Sequence, residues 1–387
     1  MKRRPDFHTD ITRREALGGL AALPLMGGMP ARLQGPAHGQ VVRERDPENL
    51  EYPFETLKSY ITPNEEFYVR SHFKVPTLEV GSWRLEVGGA VATPLNLTFD
   101  DLVKLPAKTV TATLECAGNS RVFLAPTVSG AQWELGAVSN AEWTGVPLSA
   151  VLEKAGVSAG TVEVILVGAD TGLIKTDPKP PNAIHFARSI PIAKAMAPEV
   201  LLAYKMNGET LPLSHGFPVR ALVPGWYGVA SVKWLTRIVA AKTPFSGHFQ
   251  TVDYAYWEER DGIPNRVMIT EMLVKAEISR PTVHELLKPS TKYLVTGAAW
   301  TSTGDIAKVE VSADGGASWA DARLTGESKP FTWRLWEFEW TTPATSGKHT
   351  LMSRATDSSG RTQPMTRDAN RANYLINHVL PIDVIVR

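Results

Sequence analysis

Apolar and polar residues alternate in short runs along most of the chain, the period-two signature of half-buried strands. Trp83-Arg84-Leu85-Glu86-Val87 alternates in this way, and the run from Lys108 to Leu114 also reads as a strand. Thr161 to Val167 is more continuously apolar, which predicts a buried strand. Gly168-Ala169-Asp170-Thr171-Gly172 predicts a turn after it. Helical stretches are short. Thr98 predicts an N-cap, with Asp101 three residues on closing an approximate capping box, and Pro147 to Ala155 predicts a second helix ended by Gly156. From about Leu273 the pattern changes to strands alone. Ala307 to Ser312, Trp333 to Trp340 and His349 to Ala355 each read as one, and Asp314-Gly315-Gly316 predicts a hairpin turn needing positive φ. The expected architecture is an α+β domain over residues 41–270, without regular βαβ units, followed over 271–387 by an all-β immunoglobulin-like sandwich.

One apolar run stands apart. It extends from Leu17 to about Met29, directly after Thr12-Arg13-Arg14. A charged stretch ahead of a short apolar core reads as a secretory signal, since a membrane span needs about 20 apolar residues. The paired arginines resemble the twin-arginine type, with Ala16-Leu17 where Phe-Leu is usual. Residues 1–40 are therefore expected to be a signal peptide and linker, the mature protein to be periplasmic, and no membrane span to remain in it.

Composition adds exclusions. The formal net charge is +1, with 43% apolar and 21% charged residues. That balance gives no footprint for nucleic acid or an anionic membrane surface. Cys116 is the single cysteine. It cannot form an intramolecular disulfide, so it is a buried filler, half of an intermolecular bridge, or a reactive or ligating sulfur. Its flanks favour chemistry: a strand ends at the sulfur, and Gly118, Asn119 and Arg121 follow. A thiolate there would suit a soft metal centre.

Five motifs then occur in order. They are Leu114-Glu115-Cys116-Ala117-Gly118-Asn119 with Arg121; Leu201-Leu202-Ala203-Tyr204-Lys205-Met206-Asn207-Gly208; His215-Gly216-Phe217-Pro218-Val219-Arg220; Val232-Lys233-Trp234-Leu235; and Val311-Ser312-Ala313-Asp314-Gly315-Gly316-Ala317-Ser318-Trp319. Together they resemble the sulfite oxidase family of molybdenum enzymes, from about Phe67 to the C-terminus. The resemblance implies a molybdopterin-binding catalytic domain of that type and a dimerising sandwich. It implies one molybdenum-molybdopterin cofactor per chain, with Cys116 as the protein ligand of the metal. It also implies sulfite as substrate, bound by Arg70 and Arg121, with Tyr254 and Trp133 lining the pocket. Tyr68, Arg70, His72 and Asp170 would contact the cofactor, and His215, Arg220 and Lys233 would clamp its phosphate.

Two departures bear on function. Vertebrate members carry a further substrate-side arginine near the C-terminus. The matching stretch, Asp368-Ala369-Asn370-Arg371-Ala372-Asn373, places Ala372 there with Arg371 beside it. Animal enzymes also carry a fused haem domain, and one cysteine excludes a Cys-x-x-Cys-His haem site here. The expectation is a periplasmic homodimer without haem, oxidising sulfite and passing electrons to an external acceptor such as cytochrome c. A sulfane dehydrogenase of the same fold and a catalytically silent exported binding protein are the alternatives.

Overall fold

The structure, a computed structural model, describes residues 39–387. The expected leader lies outside the described residues, apart from its last two positions. β1 (Val41–Arg45), β2 (Glu48–Glu51) and β3 (Val69–Arg70) pair as a small antiparallel sheet. The chain then runs through β4 (Leu85–Gly89), β5 (Leu95–Leu97), α1 (Phe99–Val103), β6 (Lys108–Glu115), β7 (Val138–Pro147) and α2 (Leu148–Ala155). It continues through β8 (Glu163–Gly172), β9 (Ile184–Pro191), β10 (Leu201–Met206), β11 (Glu209–Thr210), β12 (Arg220–Leu222) and β13 (Leu235–Ala241). These strands make two five-stranded sheets, β11-β10-β7-β6 with β12 beside β10, and β5-β4-β13-β8-β9. The α+β mixture is thus mostly sheet, with helices of eight residues at most among the elements named here.

Local rules explain the elements that position the site. Thr98 Oγ1 accepts the Asp101 N–H at 3.1 Å while the Asp101 carboxylate accepts the Thr98 N–H at 3.1 Å, so the capping box closes. α2 ends at Gly156 with φ 65°, a left-handed C-cap that favours glycine. The expected turn at Gly168–Gly172 is a correction: those residues continue β8, and the register against β9 shifts between Val167 and Thr171. Glycines that resemble turn punctuation serve here as a bulge.

The C-terminal half begins after the hairpin of β14 (Ala255–Arg260) and β15 (Ile263–Met268). It contains β16 (Lys275–Arg280), β17 (Leu286–Leu287), β18 (Lys292–Trp300), β19 (Ile306–Ser312), β20 (Ala320–Asp321) and β21 (Arg323–Thr325). β22 (Arg334–Thr341), β23 (Gly347–Asp357) and β24 (Ile382–Val386) complete it. The strands form two sheets, β16-β18-β22-β21 and β17-β24-β23-β19-β20, around a core that includes Val295, Val309, Leu351 and Val384. Ala298, Trp300, Trp333, Tyr374 and Leu375 instead join the core of the preceding half, so the two halves share packing. Among the described residues no helix is long and apolar enough to cross a membrane.

Candidate active site

β6 ends by delivering Cys116 to a cleft. Alternation along the strand turns Leu114 and Cys116 toward the cleft and Glu115 away from it. The Cys116 N–H donates to the Ala137 carbonyl at 2.8 Å, and its own carbonyl accepts from the Asn119 N–H at 2.9 Å. Ser120 then takes φ 71°, and a 3-10 turn over Arg121–Phe123 carries the chain off. The sulfur therefore sits at the lip of a tight turn, 6% exposed.

Eight of the residues expected beside Cys116 line the same cleft: Tyr68, Arg70, His72, Asp170, His215, Arg220, Lys233 and Tyr254. β3 and the Asn49 side chain place Arg70. Asn49 Oδ1 accepts from the Ser71 N–H at 3.0 Å and from an Arg70 guanidinium N–H at 3.2 Å. Burial opposes the charge on Arg70, yet facing Tyr254 and Cys116 holds its pKa above the usual arginine value. His72 Nε2 and the Tyr254 hydroxyl are 2.7 Å apart. Burial and neighbouring Arg70 push the His72 pKa well below its usual value, so the imidazole is neutral. Burial pushes Tyr254 upward, and its hydroxyl keeps its proton. Tyr254 itself has φ 53°, a left-handed backbone unusual for a bulky residue and of the kind that clusters at functional sites.

The cleft lining also holds Arg220, Lys233 and the Asp170 carboxyl. Arg220 spends N–H groups on the carbonyls of His215 at 2.9 Å and Ser231 at 3.0 Å, and its guanidinium lies 4.9 Å from the Trp143 ring centre. Lys233 Nζ donates to the Ser214 carbonyl at 2.8 Å and the Ser71 hydroxyl at 3.0 Å. Burial, then Arg220, pulls Lys233 down to about 7. Asp170, in the β8 bulge, is pushed up by burial to about 6 although Lys233 opposes the shift. His215 differs from the expected cationic clamp. Burial beside Lys233 and Arg220 takes it down to about 3, and its Nε2 lies 3.1 Å from the Asn64 carbonyl, where it donates. It shapes the cleft without adding charge.

Two expected residues lie elsewhere. The Arg121 guanidinium donates to the carbonyls of Ala131 at 2.5 Å and Asn373 at 3.1 Å, outside the cleft lining. A Cβ on Gly118 would stand 1.9 Å from it, so that glycine makes room for the arginine. Through these carbonyls Arg121 buttresses the cysteine loop, and its guanidinium lies 5.4 Å from the ring centre of Tyr374, the ring stacked on Tyr254. Trp133 is fully buried among Phe67, Leu114 and Cys116 and also lies outside the lining. Arg371 pairs with Asp368 at 3.2 Å and Asn377 at 3.2 Å, away from the cleft lining.

Sequence reasoning missed several participants. Tyr374 stacks on Tyr254 with ring centres 4.8 Å apart, and its hydroxyl donates to Asp253. Fully buried Arg188 bonds the carbonyls of Phe249 and Ile269 on either side of Tyr254. Its signal was a charge inside the short run Phe186-Ala187-Arg188-Ser189-Ile190. Phe186 stacks on His72 at 4.5 Å. Glu115, Lys275, Glu277 and Trp300 form a buried polar group behind the cysteine loop, and no local pattern announces it.

Comparison with known proteins bears on this geometry. Residues 72–249 match the oxidoreductase molybdopterin binding domain, and 266–379 match the Mo-co oxidoreductase dimerisation domain. Sulfite oxidase of Arabidopsis thaliana is 33% identical over 348 residues, covering 84% of this chain and 87% of that protein. The chain belongs to the sulfite oxidase family. Mitochondrial sulfite oxidase of Rattus norvegicus is 38% identical over 344 residues, 84% of this chain, and the chain spans 61% of that relative. The sulfane dehydrogenase SoxCD of Paracoccus pantotrophus has a solved structure that aligns with a TM-score of 0.77 at 29% identity, covering 92% of each chain.

The residues present suit the group that the sulfite oxidase family's binding domain implies. Cys116 supplies a soft donor at the cleft wall. Asp170 Oδ1 is buried without a partner, as an acceptor awaiting an N–H would be. Gly228 lines the cleft where a Cβ would meet the Tyr68 hydroxyl at 2.6 Å, so a side chain there would crowd the wall.

Proposed function

We propose that this chain oxidises sulfite to sulfate as a molybdopterin-dependent enzyme, passing two electrons to an external acceptor such as cytochrome c. The observation that carries this reading is the Cys116 sulfur, the Arg70 guanidinium and the neutral His72–Tyr254 pair in the same cleft. When bound, the molybdenum-molybdopterin group supplies oxygen-atom transfer coupled to two-electron redox chemistry. Cys116 would hold the metal as its thiolate. Asp170 would accept a pterin N–H, and Arg220 and Lys233 would hold the phosphate with their remaining N–H groups. Arg70 would bind the substrate anion, and the Tyr254 hydroxyl, fixed by His72, would hold a proton beside it.

The deciding test is Cys116→Ser, because a hydroxyl is a poor donor to a soft metal. The variant is expected to fold and to lose sulfite oxidation, because the metal loses its soft protein donor. Full metal content with wild-type turnover refutes the assignment and revives a silent binding protein. A sulfane dehydrogenase is the second reading. It is favoured by the likeness to the Paracoccus enzyme and by the Arg121 and Arg371 guanidiniums being bonded to Asn373 and Asp368 instead of lining the cleft. Steady-state rates with sulfite against thiosulfate separate the two.

The wider reading is a periplasmic homodimer with one cofactor per chain and no haem of its own. Support for export is the run after Arg13-Arg14; support for pairing is the dimerisation-domain match. Strand order supports an immunoglobulin-like sandwich. With β16, β18, β19, β21, β22, β23 and β24 taken as strands A to G, one sheet reads A-B-E-D and the other G-F-C flanked by β17 and β20.

A further inference from the structure

The loop carrying Cys116 is gripped from behind by the C-terminal half. Glu115 Oε1 accepts hydrogen bonds from Lys275 Nζ at 3.1 Å and Asn119 Nδ2 at 3.3 Å. Its Oε2 accepts one from Trp300 Nε1 at 2.8 Å. Lys275 Nζ also donates to Ser120 Oγ at 2.9 Å and pairs with Glu277 Oε1 at 2.7 Å. The Ser120 hydroxyl donates to that same Glu277 oxygen at 2.6 Å. Lys275, Glu115 and Glu277 are each no more than 3% exposed.

An ammonium and two carboxyl groups out of water are costly, and apolar side chains of similar volume could join the two halves as well. Adhesion alone therefore does not account for the cluster. What it adds is direction. Glu115 immediately precedes the cysteine, and Ser120 holds the left-handed kink that ends its turn. One ammonium bonds both, so it closes a clip across the two ends of the loop. Each N–H bond is angularly selective in a way that a leucine contact is not.

We propose that Lys275 is a positioning residue for Cys116: by bridging Glu115 and Ser120 it fixes the direction in which the sulfur faces the cleft. The consequence for the metal rests on Cys116 being its ligand; the geometric claim does not.

The test uses the full-length chain, with and without cofactor. Cys116 is the single thiol, so alkylation by iodoacetamide reports on it alone. In the cofactor-free chain, Lys275→Met is expected to raise the trapping rate about tenfold, because a charged clip is lost and the loop opens. Trp300→Phe keeps an aromatic ring, removes one bond to Glu115, and is expected to raise the rate about threefold. A neutral variant, Lys275→Met with Glu115→Gln and Glu277→Gln, buries no unpaired charge. It is expected to melt near the wild type yet keep the raised rate, because the clip is still missing.

A folded Lys275→Met with wild-type trapping overturns the proposal, and so does a neutral variant that returns to the wild-type rate. If Lys275→Met does not fold, the other two variants decide on the same criteria. In the loaded protein, X-ray absorption is expected to show a broader spread of metal–sulfur distances in Lys275→Met than in wild type. Raised trapping with no metal–sulfur signal in any form, wild type included, leaves the clip standing and overturns only the ligand role of Cys116.

Discussion

Arg70 and Arg121 carry the same side chain, and the difference between them is what each meets first. Arg70 ends a short strand opposite Asn49, and the Asn49 side chain and the Ser71 carbonyl take two of its N–H groups and leave the rest of the fork at the cleft. Arg121 meets the carbonyls of Ala131 and Asn373 before it can reach the sulfur. Arg70→Gln is accordingly expected to raise the KM for sulfite about tenfold or more, with a smaller change in kcat, because one charge-assisted contact to the anion is lost. Steady-state kinetics across sulfite concentration checks this; an unchanged KM assigns Arg70 to structure alone. The family resemblance could name both arginines from sequence but could not divide them. The partner that captures Arg121 at Asn373 is 252 positions away. Arg188 and Tyr374 stayed hidden for the same reason, since each acts on Tyr254 through contacts between distant segments.

At the scale of elements, legibility follows how local the cause is. The α1 cap was readable because all its atoms lie within Thr98 to Asp101. Thr98→Ala is expected to lower stability by about 1 kcal/mol with activity unchanged, as measured by denaturant unfolding alongside turnover. The end of α2 at Gly156 was equally local. The Gly168–Gly172 stretch was not, since a turn and a bulge use the same residues and only pairing with β9 decides between them. That choice matters for the site, because it sets Asp170 against Lys233 instead of in a loop after the strand.

Across the whole molecule the informative quantity is charge hidden between the halves. Burial pushes the Glu277 carboxyl up to about 7, with Lys275 opposing. An unfolded chain releases that proton near the ordinary glutamate value of 4.5. Between these values the folded state binds more protons, so this group's contribution is present at low pH and lost as pH rises through about 7. Glu277→Gln removes the penalty. The melting temperature of the variant relative to wild type is expected to climb between pH 4.5 and 7, and a flat difference across that window contradicts the assignment.

Trp300 and Trp333 reach across from the second half into the first half's core, and Lys275 neutralises a carboxylate there. Residues 41–270 produced alone would expose two indole-sized vacancies and an orphaned anion at the back of the cysteine turn. A chimera that exchanges either half with a relative's must carry these border residues along, since each half is finished by the other.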